Sequence, residues 1–262
     1  MRYFYTFLLS IIILGCQKDK DDKNTVNQKS KDTALAFSTA HYNKQSKLPC
    51  KDTCTYADIE VPLAQNTPVV ADSINNKIFN TVRSIVYFGE KPSNAKTYKG
   101  VVDSFVSSYE EMVRDFPDEG LVSWEAKIKG TIQYRSKDLL NIKINNYMFT
   151  GGAHGYEGDR SLIFDLKTGK SLAPEQLFTD VKSFTALAEN KFREKHKIPL
   201  NKGINSTGLM FEGEKFRLPQ NIFFTDKGIL LHYNAYEAAS YADGAKDLLI
   251  PYNVANDYLK IK

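Results

Sequence analysis

The chain has few cysteines, four scattered histidines, and no apolar run approaching the roughly 20 residues that a membrane-spanning helix requires. Each shortage excludes a class of function. His41, His154, His196 and His232 form neither a His-Glu-x-x-His nor a His-x-x-x-His pair, so no zinc motif is present and no metal is expected. The formal net charge of +4 is dispersed, without a clustered basic face or a recognition motif, which argues against nucleic acid as a partner. The glycine clusters lack the Gly-Lys-Ser/Thr ending of a phosphate-binding loop, and no cofactor is expected. Gly203–Gly208 is one residue too long for a Gly-x-Ser-x-Gly nucleophile elbow. Glu110 and Glu111 sit on adjacent helical positions, which diverge by about 100°. They therefore read as a solvated face and not as the converging carboxylates of a glycosidase. No internal repeat is visible.

What is present begins with a leader. Arg2 precedes an uncharged apolar run from Tyr3 to Leu14, and Ile13-Leu14-Gly15-Cys16 resembles a lipobox. Residues 1–15 are expected to be a lipoprotein signal peptide, with Cys16 as the lipidated residue. An ordinary signal peptide or a buried apolar strand is the competing reading. Residues 16–48 are assigned to a flexible lipidated stalk, because the stretch to about Asp32 is too polar to bury a core. Its Lys-Asp-rich opening resembles surface-export signals of some Gram-negative bacteria. The expected location is a lipid-anchored position in the cell envelope, at the outer membrane, facing periplasm or surface. In that compartment Cys50 and Cys54 read as a disulfide. Their loop must turn tightly, since an extended path puts the Cα atoms roughly 13 Å apart against a bridging limit near 7 Å. A metal site at the pair would need two further soft or imidazole ligands.

Beyond the stalk, residues 54–63 alternate as a strand. Asp72-Ser73 reads as the cap of a helix over 73–87, and a second apolar stripe predicts a helix over 97–116, ended by Pro117. Residues 122–134 alternate with one buried face and return through Leu140–Met148 as a hairpin. A strand follows through Leu162, Phe164 and Leu166. The pattern then gives a helix over 180–196, a loop over 199–219, a hairpin over 221–225 and 229–233, and a last strand at 248–252. The class is α+β: antiparallel sheets with helices packed on one face, in two successive subdomains.

Phe149-Thr150-Gly151-Gly152-Ala153-His154-Gly155, then Phe164–Lys170, Asn221–Ile229 and Tyr233–Gly244, occur in an order that resembles the C-terminal domain shared by RsiV-type lysozyme-sensing anti-sigma factors and PdaC-type peptidoglycan deacetylases. Residues 54–148 resemble the domain that precedes it in PdaC-type proteins. The resemblance implies an N-terminal α+β domain over 49–148 and an RsiV-type domain over 149–262. It implies an extracytoplasmic module that binds lysozyme or accompanies cell-wall enzymes. A sigma-binding segment and an appended deacetylase domain are not seen in the sequence.

Two segments carry candidate site residues. Gly151, Gly152 and Gly155 would let backbone approach a ligand, with His154 able to donate, accept or titrate. The same cluster also suits a sharp corner with His154 as its tip. Tyr236, Glu237 and Tyr241 lie in a loop over 234–244, and rings beside a carboxylate suit a sugar or protein surface. The tyrosines could equally pack the loop onto the sheet. The reading is of a non-catalytic binding module for peptidoglycan or a wall-active protein such as lysozyme. The alternatives are a wall hydrolase using His154, Glu237 and a tyrosine, or a structural partner in an envelope complex.

Overall fold

The computed structural model describes residues 34–261, so the leader, Cys16 and the stalk as far as residue 33 lie outside the described residues. Strands β1 (Ala36–Gln45) and β2 (Tyr56–Gln65) come first, followed by helices α1 (Pro68–Arg83) and α2 (Tyr98–Asp115). Then come β3 (Glu125–Arg135), β4 (Leu139–Phe149), β5 (Tyr156–Asp165) and the short β6 (Ser171–Leu172). These six strands form one sheet in sequence order. Helix α3 (Val181–His196) leads to a second sheet of β7 (Asn221–Thr225), β8 (Gly228–Tyr233) and β9 (Lys246–Pro251), and α4 (Tyr252–Ala255) follows. The class is α+β, as the pattern implies.

Four details differ from the sequence reading. Residues 36–45 are not stalk: β1 adds to β2 as an antiparallel edge strand, with Tyr42 stacked on Tyr98 at 5.0 Å. The polar composition that marks the stalk ends before Phe37, and β-prone residues take over. The large sheet is mixed, because β2 and β3 run parallel. Helices α1 and α2 supply the long crossover that a parallel pair requires. The 148/149 boundary cuts through this sheet, since β5 pairs with β4 along its whole length. Helix α1 starts at Pro68, whose fixed φ suits a first turn, and not at Ser73. The Ser73 hydroxyl donates instead to the Gly169 carbonyl at 2.7 Å.

The helices expected over 97–116 and 180–196 form as α2 and α3, each held at its start by a cap that the periodicity does not name. Thr97 caps α2 by accepting from the Gly100 amide at 3.1 Å, and Asp180 caps α3 through the amides of Lys182 and Ser183. At the far end of α3, Lys197 adopts the left-handed conformation at φ 54° that commonly ends helices. The β3–β4 hairpin forms, but its burial is less regular than alternation implies. Val122 lies before the strand and is 53% exposed, and a bulge between Ile132 and Tyr134 leaves Ile132 40% exposed. Residues 199–219 are irregular yet not peripheral, for Ile204, Leu209, Phe211 and Phe216 are buried there. Glu110, expected on a wet face, accepts from the Ser46 hydroxyl at 2.8 Å.

Two apolar clusters lie on opposite faces of the large sheet. On one, α1 and α2 bury Ile74, Ile78, Val102 and Phe105 against Ile59, Leu140, Ile142 and Phe164. The other gathers Phe184, Phe192, Phe224, Leu231 and Tyr233, with Leu139 and Ile163 contributed from β4 and β5. Those two strands are therefore sandwiched between layers. Each fully buried side chain of this size contributes about 1.5–3 kcal/mol.

Polar side chains set the second layer in register. Asn141, fully buried on β4, accepts from the Phe224 amide at 2.9 Å and donates to the Ser161 hydroxyl at 2.9 Å and the Leu162 carbonyl at 3.2 Å. Asn221 accepts from the Ser161 amide at 3.0 Å. Asn234 accepts from the Asp159 amide at 2.8 Å and donates to the Asp159 carbonyl at 3.0 Å. Its amide thus takes the place of a strand neighbour on β5. Unpaired backbone groups at such depth would be costly, and these side chains satisfy them.

Candidate functional site

The Gly151–Gly155 corner joins β4 to β5, and its glycines serve the chain path. Gly151 and Gly152 have φ of 105° and 92°, a region that disfavours side chains, while a Cβ at either position would meet little. Gly155 is different. A Cβ there would run into the Tyr147 ring, 2.5 Å from its Cζ. Of the two readings for this cluster, the glycines fit that of a sharp structural corner.

Its tip does more than turn. The His154 ring stacks on Tyr241 with centroids 3.9 Å apart and planes 15° apart. His154 Nδ1 lies 2.9 Å from the Gly155 carbonyl, and the Tyr241 hydroxyl donates to the same oxygen at 3.0 Å. A carbonyl only accepts, so Nδ1 carries the proton. The Tyr236 ring follows at 5.6 Å from Tyr241. Tyr236 is 58% exposed and Tyr241 37% exposed. Tyr236 also has a left-handed backbone, φ 71°, which is strained for a bulky residue. The structure thus brings the two sequence segments together, with His154, Tyr241 and Tyr236 forming an exposed aromatic row.

Glu237 does not join that row. Its two carboxylate oxygens accept from the amides of Gln220 at 2.8 Å and Asn234 at 3.0 Å, so it braces the turn that carries Asn234. Nearby, burial and then the charge of Glu237 push the Tyr233 hydroxyl well above its ordinary value. That hydroxyl stays protonated and donates to the Arg217 carbonyl at 2.7 Å.

Tyr241 also lines a cleft of about 370 Å³ between β5 and the small sheet, together with Asn145, Glu157, Asp159, His232 and Asn234. None of these five was singled out by sequence reasoning. His232 Nδ1 lies 2.6 Å from Asp247, and its Nε2 lies 3.2 Å from Asn234 Oδ1 and 3.5 Å from Asp159. Asp159 pairs with Lys143 at 2.6 Å and accepts from Asn145 at 3.0 Å. Burial disfavours a charge on His232, but the Asp247 hydrogen bond and the charges of Asp247 and Asp159 outweigh it and raise its pKa above the ordinary value. The hydrogen bond from His232 correspondingly lowers that of Asp247. Alternation along β8 could have placed His232 and Asn234 on one face, but no local signal names β5 as their partner.

Larger grooves lie elsewhere: two of about 530 Å³, one beside Pro174, Val181, Phe216 and Leu218 and one at the Cys50–Cys54 loop, and a third of about 560 Å³ beside Arg193, Ile198 and Leu200. Unlike these three, the cleft has buried polar side chains, Asp159 and Asn234, in its wall, and fixed polar groups are what orient a ligand. The Cys50–Cys54 disulfide is formed, with Cα atoms 5.2 Å apart. Among the described residues no cluster suited to a metal ion occurs, and no helix is long and apolar enough to cross a membrane.

Fold and site together define a class: a two-sheet α+β module with an aromatic-rimmed polar cleft at its joint. By sequence, residues 48–157 match the family model described as "Deacetylase PdaC", and residues 175–253 match that described as "Protein of unknown function (DUF3298)". That order is the one the sequence motifs suggest. A DUF3298-family crystal structure from Bacteroides fragilis is 24% identical with a TM-score of 0.65, covering 88% of this chain and 96% of that one. A second, from Pseudomonas aeruginosa, is 19% identical with a TM-score of 0.63, covering 87% and 96%. Both likenesses are of fold. No curated protein matches. The cleft falls between the two matched segments: His154 lies in the first, Tyr241 and His232 in the second, and Asp159 in neither.

Proposed function

We propose that the protein is a non-catalytic binding module of the cell envelope, anchored through lipid on Cys16, whose cleft takes a cell-wall glycan. The observation that carries the reading is the exposed His154–Tyr241–Tyr236 row set beside a cleft lined by amides and carboxylates. Ring faces offer apolar area to the C–H face of a sugar at low entropy cost. Asn145, Glu157 and the exposed His154 ring supply donors and acceptors for hydroxyl groups. A hydrolase using His154 and Glu237 is less well supported, because Glu237 is engaged by two backbone amides and does not line the cleft.

A second reading is a protein ligand, a wall-active enzyme such as lysozyme. It is favoured by Tyr236, which is held in a strained backbone and projects into solvent as interface tyrosines do. Calorimetric titration of the folded domain with solubilised peptidoglycan fragments, and separately with lysozyme, tests both. Tyr241→Ala and His154→Ala are expected to weaken glycan binding about tenfold or more, a loss of about 1.4 kcal/mol per decade. Unchanged affinity in both variants, with native circular dichroism, would remove the site. Lysozyme binding without glycan binding would move the conclusion to the second reading. Mass spectrometry of membrane-extracted protein tests the anchor, with a diacylated Cys16 at the mature N-terminus expected.

A further inference from the structure

We propose that the cleft contains a proton-operated latch, in which His232 as an imidazolium ties the small sheet to β5 and releases it on losing its proton. The geometry carries this. Asn234 cannot turn its amide round: Oδ1 faces the Asp159 N–H and Nδ2 faces the Asp159 carbonyl, so the reverse orientation would oppose donor to donor and acceptor to acceptor. His232 Nε2 therefore faces a fixed acceptor at 3.2 Å. Nδ1 faces a second acceptor, the Asp247 carboxylate, at 2.6 Å. A neutral imidazole has one N–H and one lone pair, so whichever tautomer it adopts, one nitrogen points its lone pair at an oxygen. Only the doubly protonated ring satisfies both sides.

The surrounding charges agree. From β9 comes Asp247 and from β5 comes Asp159, which together favour the cation. Lys143 of β4 pairs with Asp159, and Lys195 of α3 reaches the Asp247 carbonyl; both oppose it. Glu157 lies on the cleft wall, bonded to Asn145. The Phe223 ring of β7 lies 6.1 Å from the imidazole and brings no charge to it. Asn234 sits at the centre of the latch. It bonds to the ring and also clamps Asp159, so loss of the proton sets the Nε2 lone pair or the Nδ1 lone pair against its partner and loosens the wall of the cleft.

The consequence for ligand binding rests on the glycan reading above, but the latch itself is measurable without ligand. Long-range 1H–15N spectra of the uniformly labelled protein report both ring nitrogens of His232 directly. The expected result is a midpoint above the ordinary histidine value, with both nitrogens protonated below it and with the Asp159 and Asn234 amide signals moving at that same midpoint. Asp247→Asn, at a half-exposed position, is expected to lower the midpoint while the fold persists. A midpoint at or below the ordinary histidine value, or one unaffected by Asp247→Asn, would overturn the latch. If the closed form alone binds, glycan affinity falls about tenfold for each pH unit beyond the midpoint. Binding that persists unchanged across the midpoint overturns the coupling, and absence of binding at any pH overturns only the glycan reading.

Discussion

The two faces of the six-stranded sheet are covered in different ways. Helices α1 and α2 cover one through aliphatic contacts such as Ile74, Ile78 and Val102, with Asn75 bonding to both backbone groups of Ala64 as the main polar tie. The small sheet covers part of the other through Asn141, Asn221 and Asn234, whose side chains pair with backbone of the facing layer. Apolar burial is non-directional, whereas a buried amide must find donors and acceptors in fixed places. The helix face is therefore fixed in register at few points, Asn75 among them. The joint to the small sheet is specified residue by residue, and it stops short of the sheet's end, leaving the cleft at its margin.

Substitutions can break or sharpen that contrast. The largest effect is expected from Phe192→Ala, which empties the centre of the aromatic cluster; a loss of about 3–5 kcal/mol should appear in urea unfolding. Next comes Asn234→Asp, nearly the same size, which sets a carboxylate oxygen against the Asp159 carbonyl. About 2–3 kcal/mol is expected, and a cost under 0.5 kcal/mol would show that the joint is not directional. Replacing Cys50 and Cys54 by serine should cost about 2 kcal/mol, because the closed loop is short, and thermal unfolding with and without reductant measures it. Smallest is Ile74→Val on the helix face, about 0.5–1.5 kcal/mol, since a methylene lost from an apolar layer leaves no group unpaired.

The same contrast governs the pH dependence of stability. The folded state holds the His232 proton more tightly than the unfolded chain, so this contribution is complete below the ordinary histidine value and lost as pH rises through the folded one. His196 acts in the opposite sense. Burial and then Lys195 and Lys246 lower its pKa, so its contribution is complete above the ordinary value and lost as pH falls. Subtracting the stability curve of His232→Asn from that of the wild type isolates the first group. A difference that shrinks with rising pH is expected, and a flat difference contradicts it.

Much of the helix-covered half is legible in the sequence. The stripe from Val102 to Tyr109 and the apolar spacing over 180–196 are local signals, and they place α2 and α3 within a residue or two. Strand β1 escapes because an edge strand pairs on one side only and needs no strong alternation. The parallel β2–β3 pair and the asparagine clamps escape for a deeper reason. Alternation assigns a residue to a face but does not name the strand that faces it, and Asn234 lies 75 residues from Asp159. At the site, the meeting of His154 with Tyr241 and Tyr236 follows two segments that sequence reasoning marked. Glu237 was grouped with them because it is a neighbour in sequence, but its carboxylate braces the turn instead.

Amide chemical-shift mapping with solubilised peptidoglycan fragments tests the central claim most directly. The account predicts that the perturbed signals converge on His154, Gly155, Asn234 and Tyr241, with Asn145 and Glu157 behind them. Perturbations confined to the groove at Val181 and Leu218, or to the Cys50–Cys54 loop, would contradict it.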